Sequence, residues 1–314
     1  MKCLVTGAAG FIGSHLSKEL IRRGDQVIGI DSFTDYYPRW MKEKNLEHLQ
    51  AEEGFTFIEG DLLDLNLREL LLRTDYCFHQ AAQAGVRASW GKYFDTYTRC
   101  NILATQRLLE AAKESRLKKL VFASSSSVYG DSQDLPLRED SLPKPLSPYG
   151  VTKLASENLV SLYHKNYGLP TISLRYFTVF GPGQRPDMAF HKFIKAILKD
   201  EEISIYGDGE QTRDFTFISD IVQANILAAE SELSGEIFNI GGGSRISLKE
   251  AIKILGESIG RNKVRLRYVE SQRGDMRDTL ADISRARDLL CYQPEVGLSE
   301  GLEKEIKWLR TVVI

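Results

Sequence analysis

The chain opens with a strand, a glycine-rich turn and a helix, and this order restricts the possible folds more than any other feature. Residues 2–6 form a short apolar run that predicts a buried strand, and residues 14–23 carry apolar side chains at helical spacing. Gly7, Gly10 and Gly13 lie between them in the pattern GxxGxxG. Gly7 permits the tight turn, Gly10 lets the backbone approach a pyrophosphate at the helix N-terminus, and Gly13 brings the helix close to the strand. The segment therefore predicts a dinucleotide-binding site.

A carboxylate at the end of the second predicted strand indicates which dinucleotide binds. Residues 26–30 form that strand, and Asp31 follows it, eighteen residues after Gly13. A carboxylate here accepts hydrogen bonds from the two adenosine ribose hydroxyls and repels a 2′-phosphate, so the sequence predicts NAD rather than NADP. Arg39 and Lys42 could attract such a phosphate, but we expect both to lie on a solvated helix face.

Strand and helix patterns continue to alternate over the first half of the chain. Further apolar runs predict strands at residues 55–58, 75–78, 117–124 and 171–174, with helical patterns between them. This alternation predicts an α/β fold with a Rossmann-type, doubly wound parallel sheet. Asp61 follows the third strand, where its carboxylate either accepts a hydrogen bond from the adenine amino group or caps a helix.

A tyrosine and a lysine four residues apart form a candidate proton-transfer pair. In the segment Ser147-Pro-Tyr149-Gly-Val-Thr-Lys153, a helix that begins near Tyr149 would place Lys153 one turn further on the same face. A free phenol has a pKa of about 10, and a nearby ammonium group favours its anion. The same spacing also occurs on ordinary amphipathic surface helices, so the pair is diagnostic only in combination with other motifs.

These motifs together resemble the extended short-chain dehydrogenase/reductases, specifically the NAD-dependent nucleotide-sugar epimerases, dehydratases and decarboxylases. The resemblance covers nearly the whole chain, because the motifs occur in the family's order at plausible separations. The motifs are the GxxGxxG loop, Asp31, Asp61-Leu62, Ala81-Ala82, Asn101, 124–130, Tyr149-xxx-Lys153, 175–182 and 208–215. Ala104 stands where the family's Asn-x-x-Gly-Thr motif has glycine.

The resemblance implies roles for individual residues. Tyr149 would be the catalytic base, Lys153 would bind the nicotinamide ribose and lower the pKa of Tyr149, and Ser125 would hydrogen-bond the reacting sugar hydroxyl. The implied NAD-binding residues are Gly7, Gly10, Phe11, Ile12, Gly13, Asp31, Asp61, Leu62, Ala81, Asn101, Tyr149, Lys153 and Phe177.

The residues that follow Ser125 bear on which reaction of the family is catalysed. Family decarboxylases that act on UDP-glucuronate typically carry a glutamate immediately before the Val-Tyr-Gly segment, and 4,6-dehydratases carry an Asp-Glu pair. This chain has Ser126 and Ser127 there, with no carboxylate. Elimination needs a positioned acid and base, so this loop argues strongly against a dehydratase and moderately against a decarboxylase.

Position 178 separates two kinds of epimerase. UDP-glucose 4-epimerases typically have asparagine here, whereas this chain has Thr178, and the run that follows resembles the UDP-glucuronate 4-epimerases. Ser126, Ser127 and Thr178 are small hydroxyl donors that could surround a sugar carboxylate, each hydrogen bond to the anion contributing about 1.5–3 kcal/mol. Alternatively, the serine-rich loop satisfies its own backbone.

The expected activity is therefore a UDP-glucuronate 4-epimerase, an isomerase that forms UDP-galacturonate through a 4-keto intermediate while NAD remains bound. UDP-glucose 4-epimerase is the main alternative, followed by UDP-glucuronate decarboxylase. A dehydrogenase with net cofactor turnover stays open. A non-catalytic NAD-binding regulator is a further alternative, although family members of that kind lose the Tyr–Lys pair.

The second half of the chain is expected to bind the nucleotide sugar. We place a NAD-binding domain at residues 1–177 and a smaller α/β lobe at 178–314, with an approximate boundary and segments that can interleave. Guanidinium groups match phosphate with two parallel donors. The substrate-binding candidates of this half, beside Thr178, are Arg185, Arg213, Arg273 and Asp275. The register of Arg273 against Asp275 differs by one residue from the commoner family form.

Composition and charge limit the partners. The net charge of −2 without a basic block argues against nucleic acid and anionic membranes, and no apolar run approaches a membrane span. The four cysteines and five histidines show no metal-like spacing, so no metal site is expected. We expect a cytoplasmic protein that binds a UDP-sugar. The family resemblance implies a homodimer formed through residues 97–115 and 149–167.

Overall fold

The computed structural model describes residues 1–261 and 263–312. Residues 262, 313 and 314, which belong to the second predicted unit, lie outside these ranges. The strands are β1 Lys2–Thr6, β2 Gln26–Asp31, β3 Phe55–Glu59, β4 Tyr76–His79, β5 Lys119–Ser125, β6 Thr171–Tyr176, β7 Thr178–Phe180, β8 Ile203–Tyr206, β9 Thr212–Phe217, β10 Glu236–Ile240, β11 Arg245–Ser247 and β12 Leu266–Val269.

Helices alternate with these strands. The α-helices are α1 Phe11–Arg22, α2 Arg39–Leu46, α3 Leu67–Leu71, α4 Phe94–Tyr97, α5 Ala104–Ala112, α6 Pro148–Tyr167, α7 Ala189–Leu198, α8 Ile218–Glu230, α9 Leu248–Ile259, α10 Ser284–Leu290 and α11 Leu298–Val312. Short 3-10 helices span Arg87–Ser89, Gly91–Tyr93 and Ser126–Val128, and a π-helix spans Thr98–Leu103. No helix in the described ranges combines the length and apolar character needed to cross a membrane.

A seven-stranded parallel sheet in the order β10-β6-β5-β4-β1-β2-β3 forms the centre of the fold. The predicted doubly wound Rossmann-type sheet is therefore confirmed. The order reverses between β1 and β4, so connections leave to opposite sides there and open a crevice at the carboxyl ends of the strands. Two small sheets, β11-β9-β7 and β12-β8, lie outside the central sheet.

Side chains of β1 alternate between two helical layers, as expected for a sheet covered on both faces. Cys3 and Val5 pack with apolar residues of α1 and α8. Leu4 faces the other layer, where it packs with apolar residues of α5 and α6. Cys3 and Cys77 are buried free thiols, whereas Cys291 is exposed.

The second half of the chain contributes one strand to the central sheet. After residue 177 the chain leaves the sheet for β7, α7, β8 and β9. It returns with α8, which packs against α1, and with β10, which pairs with β6 and completes the sheet. The sequence analysis assigned no strand of this half to the central sheet. The boundary between residues 177 and 178 remains a prediction.

Helix α6 has well-defined ends that fix the position of its first turn. The Ser147 hydroxyl accepts a hydrogen bond from the Gly150 amide (3.1 Å), and Pro148 occupies the first helical position. Gly168 ends the helix in the left-handed region at φ 68°. Tyr149 therefore lies in the first turn, and Lys153 lies one turn further along the helix.

A buried ion pair joins α6 to β6. Arg175 donates to both carboxylate oxygens of Glu157, at 2.7 and 3.0 Å, and the two side chains are only 3% and 2% exposed. The Ser124 hydroxyl also donates to Glu157 (2.6 Å). Arg175 further donates to the Tyr129 hydroxyl (2.7 Å), which donates to Asn239 (2.6 Å). The network thus connects α6 with β5, β6 and β10.

We expect Glu157→Ala to lower the free energy of unfolding by about 3–5 kcal/mol, because it leaves the Arg175 charge buried without a partner. Urea unfolding at a fixed nucleotide concentration measures the change. The double variant Glu157→Met/Arg175→Met should lose much less than the sum of its single variants. Glu43→Ala, which breaks an exposed contact with Arg39, is the control and should have a much smaller effect. Equal losses for Glu157→Ala and Glu43→Ala would contradict this prediction.

Candidate active site

A cleft of about 970 Å³ lies at the carboxyl ends of the central strands, and residues of both predicted units line it. Its size suits a nucleotide ligand. It brings together most of the predicted site residues. Those that line it are Gly7, Gly10, Phe11, Ile12, Gly13, Asp31, Asp61, Leu62, Ala81, Ser125, Ser126, Ser127, Tyr149, Lys153, Phe177, Thr178, Arg185, Arg213 and Asp275.

The glycine loop packs closely against neighbouring backbone and exposes a helix end. Gly7 has φ 72°, and a Cβ there would lie 2.8 Å from the Ala81 nitrogen. A Cβ at Gly13 would clash with the Gly7 carbonyl group. Gly10 precedes α1, and no side chain caps this helix, so the amides of its first turn can bind an anion. These features fit the pyrophosphate of a dinucleotide.

Asp31 lies where the sequence predicted a ribose-binding carboxylate. One carboxylate oxygen accepts a hydrogen bond from the Phe33 amide (2.8 Å), and the other accepts one from the Ala9 amide (3.2 Å). The prediction of a solvated Lys42 is wrong. This side chain is buried, because α2 turns its face carrying Met41 and Lys42 inward, and its Nζ lies 3.8 Å from Asp31.

Asp61 closes a turn that lines the cleft. Its carboxylate accepts a hydrogen bond from the Leu63 amide (2.9 Å) and lies 3.6 Å from the Arg99 guanidinium. Helix α3, which follows, is capped by Asn66 instead. The helix-cap alternative for Asp61 is therefore wrong, while the contact with adenine stays a prediction.

Asn101 and Arg273 are the two predicted site residues that do not line the cleft. Asn101 is buried in the π-helix, where it accepts a hydrogen bond from the Gln83 amide (2.7 Å) and donates to the Thr152 hydroxyl (2.9 Å). It thereby ties the loop after β4 to α6. Arg273 is exposed, because the loop turns at Gly274 (φ 85°) and presents Asp275 to the cleft instead.

Tyr149 and Ser125 face each other across the start of α6. Burial raises the pKa of Tyr149, whereas a hydrogen bond with Ser125 and the charge of Arg185 act to lower it. The Tyr149 ring also meets the edge of the Tyr97 ring, with centroids 6.3 Å apart. The charge of Arg185 thus contributes to lowering the pKa of the phenol, and the implied effect of Lys153 on Tyr149 stays a prediction.

Lys153 lies deep in the cleft. Its side chain is 3% exposed, and its Nζ lies 4.6 Å from the centre of the Phe122 ring. Burial lowers the pKa of Lys153 to about 7, against the attraction of Glu157. Burial, and then the charge of Lys153, also lower the pKa of His79 to about 3. His79 is therefore neutral, and its ring nitrogens bond the hydroxyls of Thr6 and Thr105.

Three hydroxyl groups that line the same cleft as Tyr149 have no partner within the described residues. Those of Ser126, Ser127 and Thr178 make no hydrogen bond to residues 1–261 or 263–312, although all three residues line the cleft. Ser125, in contrast, accepts a hydrogen bond from the Ser127 amide (3.1 Å). The alternative in which the serine loop satisfies its own backbone therefore holds for Ser125 but not for Ser126 and Ser127. The hydroxyls of these two residues remain available to a ligand.

Arg185 is held by an ion pair, whereas Arg213 is held by backbone carbonyl groups. Arg185 forms a two-point ion pair with Asp187 (2.9 and 3.0 Å), whose carboxylate also accepts a hydrogen bond from the Tyr36 hydroxyl (3.1 Å). Arg213 donates to backbone carbonyls of Thr212, Met276 and Arg277 (2.6–3.0 Å). Arg213 thus also anchors the loop that carries Asp275.

Arg87 is a cleft residue that the sequence analysis missed. It pairs with Asp275 at 2.6 Å, and its guanidinium group lies 4.1 Å from the centre of the Tyr206 ring. The contact joins the loop after β4 to the C-terminal lobe, over 188 residues of sequence. The only sequence signal was the nearby Ala81-Ala82 motif, which gives no information on a partner so distant in the chain.

Each carboxylate that lines the cleft is paired with a cation. The pairs are Asp31–Lys42 (3.8 Å), Asp61–Arg99 (3.6 Å), Asp187–Arg185 (2.9 Å), Glu202–Arg267 (3.3 Å) and Asp275–Arg87 (2.6 Å). A carboxylate acting as acid or base for elimination would therefore have to leave an ion pair. In the described ranges, no cluster of three or more His, Cys, Asp or Glu side chains is arranged to hold a metal.

Comparison with known proteins relates this cleft to enzymes of nucleotide-sugar metabolism. An uncharacterized UDP-glucose epimerase of Bacillus subtilis, YtcB, is 48% identical over 314 residues, with 99% of both chains covered. The UDP-glucuronate 4-epimerase of Thermodesulfobacterium geofontis is 42% identical over 97% of this chain and 95% of its own.

A solved structure is similar to this chain over nearly its whole length. The UDP-glucuronic acid 4-epimerase of Bacillus cereus, in complex with UDP-glucuronic acid and NAD, superposes with a TM-score of 0.97 at 47% identity. The match covers 99% of this chain and 100% of that one. The sequence model of the NAD dependent epimerase/dehydratase family matches residues 3–241. The chain therefore belongs to the NAD dependent epimerase/dehydratase family.

Proposed function

We propose that this protein is a NAD-dependent UDP-glucuronate 4-epimerase that interconverts UDP-glucuronate and UDP-galacturonate. The observation that carries the proposal is the set of three unpartnered hydroxyls, Ser126, Ser127 and Thr178, in a cleft whose carboxylates are all paired. The similar proteins from Thermodesulfobacterium geofontis and Bacillus cereus bear the same activity in their names, which supports the assignment.

The residues of the cleft fit NAD. The first turn of α1 would bind the pyrophosphate, Asp31 the adenosine ribose, and Lys153 the nicotinamide ribose. Bound NAD supplies the hydride acceptor and donor for C4 of the sugar, and its oxidation state is unchanged after a full cycle. The closed glycine loop and the buried Lys153 favour retention of the cofactor through many turnovers.

Tyr149 performs the proton transfer at the sugar. Its phenolate accepts the proton of the C4 hydroxyl, while Ser125 holds that hydroxyl by a hydrogen bond. The charge of Arg185 favours the phenolate and offsets part of the cost of its burial. The same phenol returns the proton after the 4-keto sugar has presented its other face. UDP would stay anchored meanwhile by Arg185, Arg213 and Asp275.

The hydroxyl groups of Ser126, Ser127 and Thr178 would protect this substrate from losing CO2. Oxidation of glucuronate at C4 gives a β-keto acid, which loses CO2 when the bond to the carboxylate aligns with the carbonyl π system. Hydroxyl donors at fixed positions hold the carboxylate out of that alignment. Hydrogen bonds to an ionised acceptor contribute about 1.5–3 kcal/mol each, so three of them offset much of the desolvation of the anion.

UDP-glucose 4-epimerase is the second candidate, because the similar Bacillus subtilis protein is called a UDP-glucose epimerase. A neutral sugar would leave the hydroxyls of Ser126, Ser127 and Thr178 without an ionic partner. A decarboxylase remains an outcome of the test below, and a dehydrogenase would differ from an epimerase by net cofactor turnover. The intact pair of Tyr149 and Lys153 argues against a non-catalytic regulator.

A cytoplasmic homodimer is the proposed state of the enzyme. Apolar side chains are exposed on the π-helix and on α6, among them Leu103, Val151, Leu162 and Tyr167. They lie in the two segments, 97–115 and 149–167, through which the family resemblance implies dimerisation. Burial against a second copy would remove this apolar surface from water.

Purified protein without added cofactor should convert UDP-glucuronate into UDP-galacturonate, as resolved by proton NMR. Tyr149→Phe should lower the rate by about 10²–10⁴-fold while the protein retains NAD, because only the proton acceptor is removed. UDP-xylose or a 4-keto pentose would show that the carboxylate is not protected. Turnover of UDP-glucose alone would assign the enzyme to the neutral-sugar epimerases.

We expect Thr178→Val to lower kcat/KM for UDP-glucuronate by about 10–150-fold, since a charge-assisted hydrogen bond is lost. The value for UDP-glucose should change far less. Thr216→Val is the matched control, because the Thr216 hydroxyl is buried without a partner and the residue does not line the cleft. Equal losses for both sugars would refute the carboxylate role of Thr178.

The stability of the nucleotide-free protein should depend on the protonation of Lys153. The pKa of Lys153 is about 7 in the folded protein and about 10.4 in the unfolded chain, so between these values the unfolded state binds more protons. Stability then rises with pH. The unfolding free energy of wild type minus that of Lys153→Met should increase by about 2 kcal/mol from pH 7.5 to 9.0 in urea titrations. A constant difference would contradict the lowered pKa.

A further inference from the structure

Lys42 occupies an unusual place for a lysine near a nucleotide site. Its side chain is only 5% exposed, and its ammonium group donates to the carbonyl (3.1 Å) and the hydroxyl (3.3 Å) of Thr34. The ring of Tyr37 lies 5.1 Å away. An ammonium group has three donors, and the two contacts with Thr34 leave one of them free to face the cleft that Lys42 lines.

The ammonium group of Lys42 lies close to Asp31, but beyond hydrogen-bond distance. The two charged groups are 3.8 Å apart, and Asp31 already accepts hydrogen bonds from the amides of Ala9 and Phe33. The negative charge of Asp31 thus lies next to the positive charge of Lys42. A carboxylate alone would repel a 2′-phosphate on the adenosine ribose, and a lysine alone would attract one.

The other charges in this region leave Lys42 as the cation that acts on Asp31. Arg39, one turn earlier on α2, is exposed and pairs with Glu43 (2.7 Å) and Glu59 (2.8 Å). Arg185 pairs with Asp187. Among the described residues, Lys42 is the only cation within 4 Å of the Asp31 carboxylate.

We propose that Lys42 is a cofactor-specificity residue, whose ammonium group offsets the Asp31 charge and provides a ligand for a 2′-phosphate. The preference for NAD over NADP is then set by the balance of the two side chains. Asp31 excludes the phosphate, and Lys42 limits how strongly it is excluded. This proposal rests on the dinucleotide site and is independent of which sugar the enzyme turns over.

Binding of the two dinucleotides to the full chain tests the proposal. Protein stripped of nucleotide is titrated with NAD and with NADP, tryptophan fluorescence being the readout, and the ratio of the two Kd values is compared between variants. Lys42→Met should raise the ratio of Kd(NADP) to Kd(NAD) by about tenfold, because Asp31 loses its counter-charge. Lys42→Arg should keep the ratio near that of wild type.

Arg39→Met is the matched control, since it removes the same charge from the same helix at an exposed position. It should leave the ratio unchanged. If Lys42→Met weakens both dinucleotides equally, the residue has only a structural role and the proposal is overturned. An equal change for Arg39→Met and Lys42→Met would also overturn it, because the effect would then be general electrostatics.

A double variant separates the two side chains. Asp31→Asn should strengthen NADP binding, because the repulsion is removed while the Lys42 cation remains. Asp31→Asn/Lys42→Met should lose this gain. If the double variant binds NADP as tightly as Asp31→Asn does, Lys42 is not the phosphate ligand. Both measurements are independent of catalysis, so a failure here leaves the proposed epimerase activity unaffected.

Discussion

The ion pair between Glu157 and Arg175 lies beneath the cleft, where it joins the helix that carries Tyr149 to the strand that leads into Thr178. Glu157 lies one turn beyond Lys153 on α6, and it also accepts a hydrogen bond from Ser124, the residue before Ser125. A two-point guanidinium–carboxylate contact fixes orientation as well as distance. The contact thus helps to fix the helix that carries Tyr149 and Lys153 against the strand that ends at Ser125.

The same ion pair also affects the protonation of Lys153 on α6. Lys153 is buried, and burial alone disfavours its charged form, whereas Glu157 on the same helix face favours it. Glu157 is itself held by hydrogen bonds from Ser124 and Arg175. Removal of the pair would therefore alter both the geometry of the site and the protonation of Lys153.

Local patterns were sufficient to predict the strands of the first half, the glycine loop and the helix with Tyr149 and Lys153. These elements depend on residues that are close in sequence, namely apolar runs, turn glycines and the Ser147-Pro148 start of α6. Arg87, Lys42 and β10 were missed or misplaced because their environment comes from distant segments. Lys42 is buried by the way α2 packs, and Arg87 is placed by Asp275, so no local pattern could indicate either.

The distribution of charge in the cleft favours epimerisation over elimination and decarboxylation. Every lining carboxylate has a cationic partner, so the phenol of Tyr149 is the lining group best placed to exchange a proton with the sugar. An anionic substrate in such a cleft meets no unpaired acid near Ser125, and the hydroxyls of Ser126, Ser127 and Thr178 can bind its carboxylate. Neutral donors hold that anion without supplying the acid or base that elimination needs. A carboxylate held in this way keeps its CO2 while the neighbouring carbon is oxidised and reduced again, and this property distinguishes epimerisation from decarboxylation on the same scaffold.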